Sequence, residues 1–372
     1  MNNDLSSNEI RRFYQELQEN LVDNRSNTGR RHELAFVITL LIVSILLSYD
    51  HLSLSKIHRN MKRYYAHLCI SLHKDIDRCI SRTQLSRILS DFDYESFLSI
   101  QHKENDSCDW HAVDGKELKG SIDSKKHKTR GLSIVYAINT NSSFQRLLGF
   151  YDGTKESEKN VVRERICDLP EGSKVTLDAL HNSVGLLTDI EQNNRFYLTQ
   201  IKANQKHLMN DLVHISDNIK TEEIIIDTEK SHGRIDTRSY EIYPINVEIL
   251  EPRWSESGIC NMIKVTRKSY HLKDGTERKE TRYYITNYNG KNAEIADAIR
   301  GHWKIEIMNR IRDVNFGEDK FRSLNHGLQK TMSSLMLFIC SGLSKINSAG
   351  NLNILREELA YNPKMINKFF AA

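Results

Sequence analysis

Trp110-His-Ala-Val-Asp114-Gly-Lys-Glu-Leu-Lys-Gly-Ser121 (WHAVDGKELKGS) marks the point where the chain changes character. Ahead of it, from Leu34 to about Ile100, the pattern is that of successive helices. Within it, Ala112 and Val113 lead into Asp114, and the GKELKGS run turns the chain. Beyond it strands and helices alternate. Leu132–Asn139 (LSIVYAIN) and Phe144–Tyr151 (FQRLLGFY) are rich in strand-forming residues and flank a polar turn, Thr140–Ser143, which predicts a hairpin. Ser157–Asp168 reads as a helix, Lys174–Asp178 (KVTLD) as a short strand, and Phe196–Lys202 (FYLTQIK) as another. This order predicts the α/β class.

Outward from that stretch, about Gln205 to Asn289 reads as mostly β, with Ile224–Thr228, Thr237–Tyr243, Cys260–Tyr270 and Thr281–Thr286 alternating or β-branched. Ala293 opens a helical period through Ile299, Trp303, Glu306 and Arg310, and a last apolar helix runs from about Leu328 to Leu343. Toward the N-terminus, Ile10, Tyr14, Leu17 and Leu21 keep a weak helical period, and NRSNTGRR (Asn24–Arg31) reads as a loop. Ser55–Leu72 carries Arg59, Lys62 and Arg63 on one side. Arg82–Leu89 exposes Arg82, Thr83, Gln84 and Arg87, residues that suit either a DNA-reading helix or a solvated face.

A chain of 372 residues with a formal net charge of +4 has room for two or three domains and is not forced by its charge toward nucleic acid. Its six cysteines form no CxxC pair, which argues against a zinc knuckle and for free thiols in a reducing compartment. The polar start, Met1–Glu9, has no basic and then apolar order of a secretory signal, so a cytoplasmic protein is expected. Leu34–Tyr49 (LAFVITLLIVSILLSY) has no charge between Glu33 and Asp50. It is shorter than the roughly 20 apolar residues that span a bilayer. Two readings stand: a helix buried in a core, or a membrane attachment.

Three carboxylates occupy places where an enzyme puts metal ligands. Asp114 follows an apolar stretch and precedes a glycine; Asp178 ends a strand before a turn with His181; Glu306 lies on a helix beside His302 and Trp303. Acids at strand ends converge in a crevice. Such carboxylates can hold two magnesium or manganese ions, hard cations that suit oxygen ligands, for in-line phosphoryl transfer. Spacing alone does not establish this, because with 49 acidic residues some triple always fits.

Six runs, in order, carry more. They are AVDGKELKGS (Ala112–Ser121), VTLDALHNS (Val175–Ser183), YLTQIKANQKHL (Tyr197–Leu208), EKSHGRIDTRSY (Glu229–Tyr240), RYYIT (Arg282–Thr286) and AIRGHWKIE (Ala298–Glu306). Together they resemble the ISAs-type transposases of bacterial insertion sequences, also called H-repeat-associated proteins, within the IS-four superfamily. The resemblance implies an RNase H-like catalytic core with a β-rich insertion and an N-terminal all-helical domain. Its boundaries would be 1–107 for the helical DNA-binding or associated domain, 108–204 for the first part of the core, 205–290 for the insertion, 291–346 for the closing core helices and 347–372 for a C-terminal tail. It implies Asp114, Asp178 and Glu306 as catalytic, magnesium-binding (or manganese-binding) residues. It implies strand cleavage and transfer at the terminal inverted repeats of an element, on double-stranded and target DNA, by a homo-oligomer associated with the nucleoid and not with a membrane. Lys116, Lys119, Lys202, His232, Arg234, Arg300 and His302 join Arg82 and Arg87 as candidate DNA contacts; a surface salt bridge is the alternative for each.

The chain departs from the pattern after Glu306. The family reads E-N-x-x-H-W-x-x-D-V, whereas here Glu306 is followed by IMNRIRDV, so the second acid, Asp313, comes seven residues later and not eight. At about 100° per residue, seven residues bring Asp313 almost onto the face of Glu306, and eight would leave it about 80° away. Either a local bulge compensates, or Glu306 pairs with Arg310 in a transposase-derived DNA-binding protein without catalysis.

Overall fold

The structure is a computed structural model that describes residues 8–27, 30–49, 51–102, 107–127, 129–221, 223–347 and 350–371. Met1–Ser7 and Asp50, the acid expected to close the apolar run, lie outside the described residues.

Among the described residues five helices precede the first strand: α1 (Asn8–Asn20), α2 (Leu34–Leu46), α3 (Leu54–Ser71), α4 (Arg82–Ser90) and α5 (Tyr94–His102). The uncharged run forms α2, and every residue of it is buried. A helix apolar all round has no face for water, so neighbours enclose it. Its two interior polar groups are satisfied locally: the Thr39 hydroxyl donates to the Ala35 carbonyl at 2.8 Å and the Ser44 hydroxyl to Leu40 at 2.6 Å. Glu33, just ahead of it, is held by Tyr14, Gln18 and Lys74. Among the described residues no helix is long and apolar enough to cross a membrane, and the attachment reading of this segment gives way to the buried one.

The sheet begins with β1 (Trp110–Glu117), β2 (Leu132–Asn139) and β3 (Gln145–Asp152), an antiparallel set. After α6 (Lys155–Arg165) come β4 (Lys174–Leu177), α7 (Val184–Gln192) and β5 (Phe196–Ile201). β4 runs parallel to β1, and β5 parallel to β4. The spatial order β3-β2-β1-β4-β5 is consistent with an RNase H-like core. Next are α8 (Lys206–Asn218), β6 (Ile224–Ser231), β7 (Arg234–Pro244), β8 (Asn261–His271) and β9 (Glu277–Thr286). The chain closes with α9 (Asn292–Gly301), α10 (Trp303–Val314), α11 (His326–Ile346), α12 (Leu352–Tyr361) and α13 (Ile366–Ala371).

Four features go beyond the expected layout. The β-rich region opens with a helix, α8, whose Leu208, Leu212 and Ile215 are buried. It is also not a separate layer: β9 pairs antiparallel with β5, and the order continues β9-β8-β7-β6 into one nine-stranded sheet. Nor is 1–107 a unit apart. Side chains alternate across a strand, so Ala112, Ile134, Tyr136 and Ile138 face one way and join α1–α5 and α11 in a single core. Val113, Val135 and Ala137 face the other way, against α6, α7 and α8. The segment expected as a tail supplies Leu352, Leu355, Leu359, Ile366 and Phe369 to the first of these cores.

Candidate active site

The β1–β4 register ends with Ala112 opposite Thr176, so Asp114, midway along β1, and Asp178, just past the end of β4, each follow the last paired residue of parallel strands by two. Glu306 comes from the first turn of α10. Thr176 fixes the α9–α10 junction to the sheet, its hydroxyl 2.9 Å from His302 Nδ1. A cleft of about 230 Å³ opens there, bordered by Asp178, Lys202, Arg282, His302, Trp303 and Glu306.

The two aspartates differ in setting. Asp178 turns one oxygen to the Leu180 amide at 2.7 Å, closing its own turn. Asp114 is deeper. Burial first, and then the charge of Glu158, push its carboxyl up to about 7, with Asp178 adding to the effect and the Gly115 amide and His181 opposing it. Glu158 reaches this spot from α6, on the other face, because Gly115 has no side chain: a Cβ there would lie 2.6 Å from the Glu158 carboxylate. Tyr151 donates to Glu158 at 2.6 Å, and His181 Nε2 lies 3.1 Å from it. On the α10 side, the Asn309 amide approaches Asp114 at 3.4 Å and accepts from the Tyr136 hydroxyl at 2.8 Å.

These acids are the hard oxygen donors that magnesium or manganese prefers. The surplus negative charge around Asp114 is what a bound cation would relieve. Two of the three positions therefore fit an ion. The third is not drawn in: among the described residues no three His, Cys, Asp or Glu side chains converge closely enough to hold one. Glu306 is exposed and has no hydrogen bond or ion pair among the described residues. That includes Arg310, so the helix ion pair expected of an inactive copy is not made.

With this geometry in view, residues 104–340 match the family of the Transposase DDE domain. The chain belongs to the DDE transposases. A protein of Escherichia coli O157:H7 named "Putative transposase YncI" is 26% identical over 293 residues, 73% of this chain and 70% of that protein.

The transposase distributes its expected DNA contacts unevenly. Lys202 is exposed at the end of β5, in the cleft, and Lys119 is 63% exposed with Asp319 beside it at 2.9 Å. Lys116 is corrected. It is 5% exposed and lies under α10, with its ammonium 2.6 Å from Asp313, 3.5 Å from Glu318 and 3.3 Å from Asp319. It has no open side for a phosphate. Arg300 leaves the cleft to pair with Glu229 of β6 at 2.7 Å. His302 is held to Thr176, and burial above all keeps its imidazole below the usual value, hence neutral. Arg234 pairs with Asp236 at 3.0 Å, and His232 sits at the tip of the β6–β7 hairpin. Arg234 is six residues along β7 from Tyr240, which borders a second hollow beside the cleft, a strand distance of roughly 20 Å. Arg82 and Arg87 are exposed on α4.

Sequence reasoning missed Glu158, Asn309 and Tyr136. Asn309 carried a signal: three residues after Glu306 and four before Asp313, it lies on their side of the helix. Glu158 carried none. Trp303, 45% exposed, borders both the cleft and a second hollow edged by Arg238, Arg267, Arg282 and Arg300.

Proposed function

We propose that this transposase is of the ISAs type and that it cuts and joins DNA at the inverted-repeat ends of its own element as a homo-oligomer. One observation supports the proposal: Asp114 on β1 and Asp178 just past the end of β4 each follow the last paired residue of these parallel strands by two, and Glu306 borders the same cleft as Asp178. Asp114 and Asp178 would hold a magnesium or manganese ion, with Glu306 turning in to complete the set. When bound, such an ion activates the attacking water or 3′-hydroxyl and steadies the leaving oxygen. The Glu158 carboxylate, held by His181, faces Asp114 from the other side of the sheet and adds to the negative charge a cation would relieve, and Asn309 orients Asp114 from α10. Lys202 meets the phosphate backbone at the cleft, and neutral His302 positions α10 through Thr176.

Purified chain with the element's ends and magnesium should nick and join them, and Asp178→Ala should stop both while leaving duplex affinity in place. Wild-type protein that binds the ends but neither nicks nor joins them refutes the catalytic reading. That outcome would favour the second one, a DNA-binding protein derived from a transposase. The observation on its side is the unclosed third ligand position.

A further inference from the structure

The transposase match begins at residue 104, so α1–α5 and the segments between them lie outside it. That part of the chain places four arginines around one concavity. A groove of about 400 Å³ lies between the segment ahead of α2 and the start of α4. Arg25, Arg30, Arg31 and Arg78 line it with His32, and among the described residues no carboxylate does.

Of two acids near it, Glu33 is committed elsewhere and Asp23 pairs with two of the groove's own arginines. Asp23 ties down Arg25 at 2.6 Å and Arg30 at 3.3 Å from outside the groove. Glu33 is engaged by Tyr14, Gln18 and Lys74. Arg31 and Arg78 are exposed and make no hydrogen bond or ion pair among the described residues. The Arg25 guanidinium also donates to the His32 carbonyl at 2.8 Å, which ties the segment to its own wall.

His32 reports the field inside. Burial first, and then the guanidiniums of Arg25, Arg31 and Arg78, hold its imidazole below the usual value. Its Nδ1 is buried without a partner. The groove also opens on the N-terminal end of α4, capped by Ser81, where the helix dipole favours an anion. A second hollow shares Arg25, Arg30 and Gln84 with the first and reaches Arg87 on α4, but Asp23, Asp91 and Asp93 border it too, so the free positive charge stays with the first groove.

We propose that this groove grips the sugar–phosphate backbone of duplex DNA, a contact separate from the catalytic cleft and made by a part of the chain outside the transposase match. The proposal rests on the reading of the chain as a DNA transposase. Guanidiniums suit the task because their planar fork matches phosphate oxygens two at a time. Backbone contacts position a protein without reading sequence, so the grip would hold flanking or terminal DNA while the cleft acts.

The test uses the full chain and a labelled duplex of mixed sequence, with affinity measured by fluorescence anisotropy over a range of salt concentrations. Arg31→Ala/Arg78→Ala should lower the slope of log affinity against log salt by roughly 1.8, the counterion release of two phosphate contacts. Arg31→Glu/Arg78→Glu should weaken binding further. Both side chains are exposed, so the unfolding midpoint should stay at the wild-type value. A double variant with the wild-type slope and affinity overturns the groove and leaves the transposase reading standing. If tripolyphosphate binding falls while duplex binding holds, the groove is a small-anion site and the proposal is overturned. A wild-type chain that binds duplex through Arg31 and Arg78 but never cuts refutes the catalytic reading alone. One with no duplex affinity refutes both.

Discussion

Lys116→Met separates a structural lysine from a DNA-contacting one. The methionine keeps most of the buried chain length and removes the charge. Three carboxylates then lose a cation unequally. Glu318 keeps Arg312, which donates to it twice, at 2.9 and 2.7 Å. Asp319 keeps Lys119 at 2.9 Å. Asp313 keeps nothing among the described residues. Breaking a buried ion pair from one side costs about 3–5 kcal/mol. The Asp313 side chain retains 31% of its exposure, so water offsets part of the loss, and about 3 kcal/mol is expected. Asp313→Asn alone should cost less, because Lys116 keeps Glu318 and Asp319. In the double variant the orphaned charge is gone, so a cycle should return a coupling of about 1.5–2 kcal/mol.

The assay is urea unfolding, with the midpoint lowered and the slope unchanged. Its pH dependence has a definite sign. Burial raises the Asp313 carboxyl in the folded protein, and Lys116 opposes that rise. Without Lys116 the folded value climbs further above the unfolded one. An acid raised on folding weakens stability above its folded pKa and ceases to do so as the pH falls through it. The deficit of Lys116→Met should therefore shrink on acidification. If Lys116→Met unfolds within about 0.5 kcal/mol of wild type and loses duplex affinity with a shallower salt slope, the lysine is a phosphate contact and the structural reasoning is wrong.

Asp178→Asn should cut strand cleavage by about a thousandfold or more, since metal stabilisation supplies several kcal/mol, with duplex anisotropy unchanged; retained cleavage would remove Asp178 from the ligand set. Gly115→Ala should push Glu158 off Asp114, because the new methyl would sit 2.6 Å from that carboxylate; about 1–3 kcal/mol of stability should go with it, and an unchanged midpoint with full activity would deny the contact. Asp236→Ala should destabilise the β extension by about 3–5 kcal/mol, because Arg234, Arg238 and Arg267 lose their shared acid. In the wild type these hydrogen bonds and charges outweigh burial and hold Asp236 well below the usual carboxylate range. Its contribution is therefore present above the unfolded value and lost as the pH falls through the folded one; a variant with the same acid unfolding curve as wild type would contradict this.

Much of the fold was legible because it depends on local pattern. The hairpin and the two parallel strands announced themselves by β-branched runs between turn residues, and α2 by an uncharged run too short for a bilayer. The joining of β9 to β5 was not legible, since that ladder pairs residues more than eighty apart and no local period encodes it. α8 was hidden for a different reason. Its Leu208, Leu212 and Ile215 have helical spacing, but the strong β signal of the residues after it took over the whole region. At the site, Asp114 and Asp178 stood in readable motifs. Glu158 was invisible because its place depends on α6 docking over a glycine on the opposite face. Lys116 was misread because a charge two residues past Asp114 looks exposed until α10 covers it.

That cover bears on the altered stretch after Glu306. α10 is a continuous helix from Trp303 to Val314, so no bulge resets its rotation. Its far end is pinned: Arg312 is buried against Glu318 and Ser333, and Asp313 meets Lys116 on β1. Seven residues turn through about 700°, roughly 20° short of two full turns, and rise about 10 Å. The side of α10 that sets Asp313 on Lys116 therefore carries Glu306 two turns away, beyond Asn309 at Asp114, toward the cleft where Asp178 lies. With eight residues between the acids, the same anchor would swing Glu306 about 80° off that line. The shorter spacing and the buried lysine thus belong together. Restoring an eighth residue by insertion before Asp313 should abolish cleavage in a protein that still folds, and activity unchanged by the insertion would mean that the anchor does not set the glutamate.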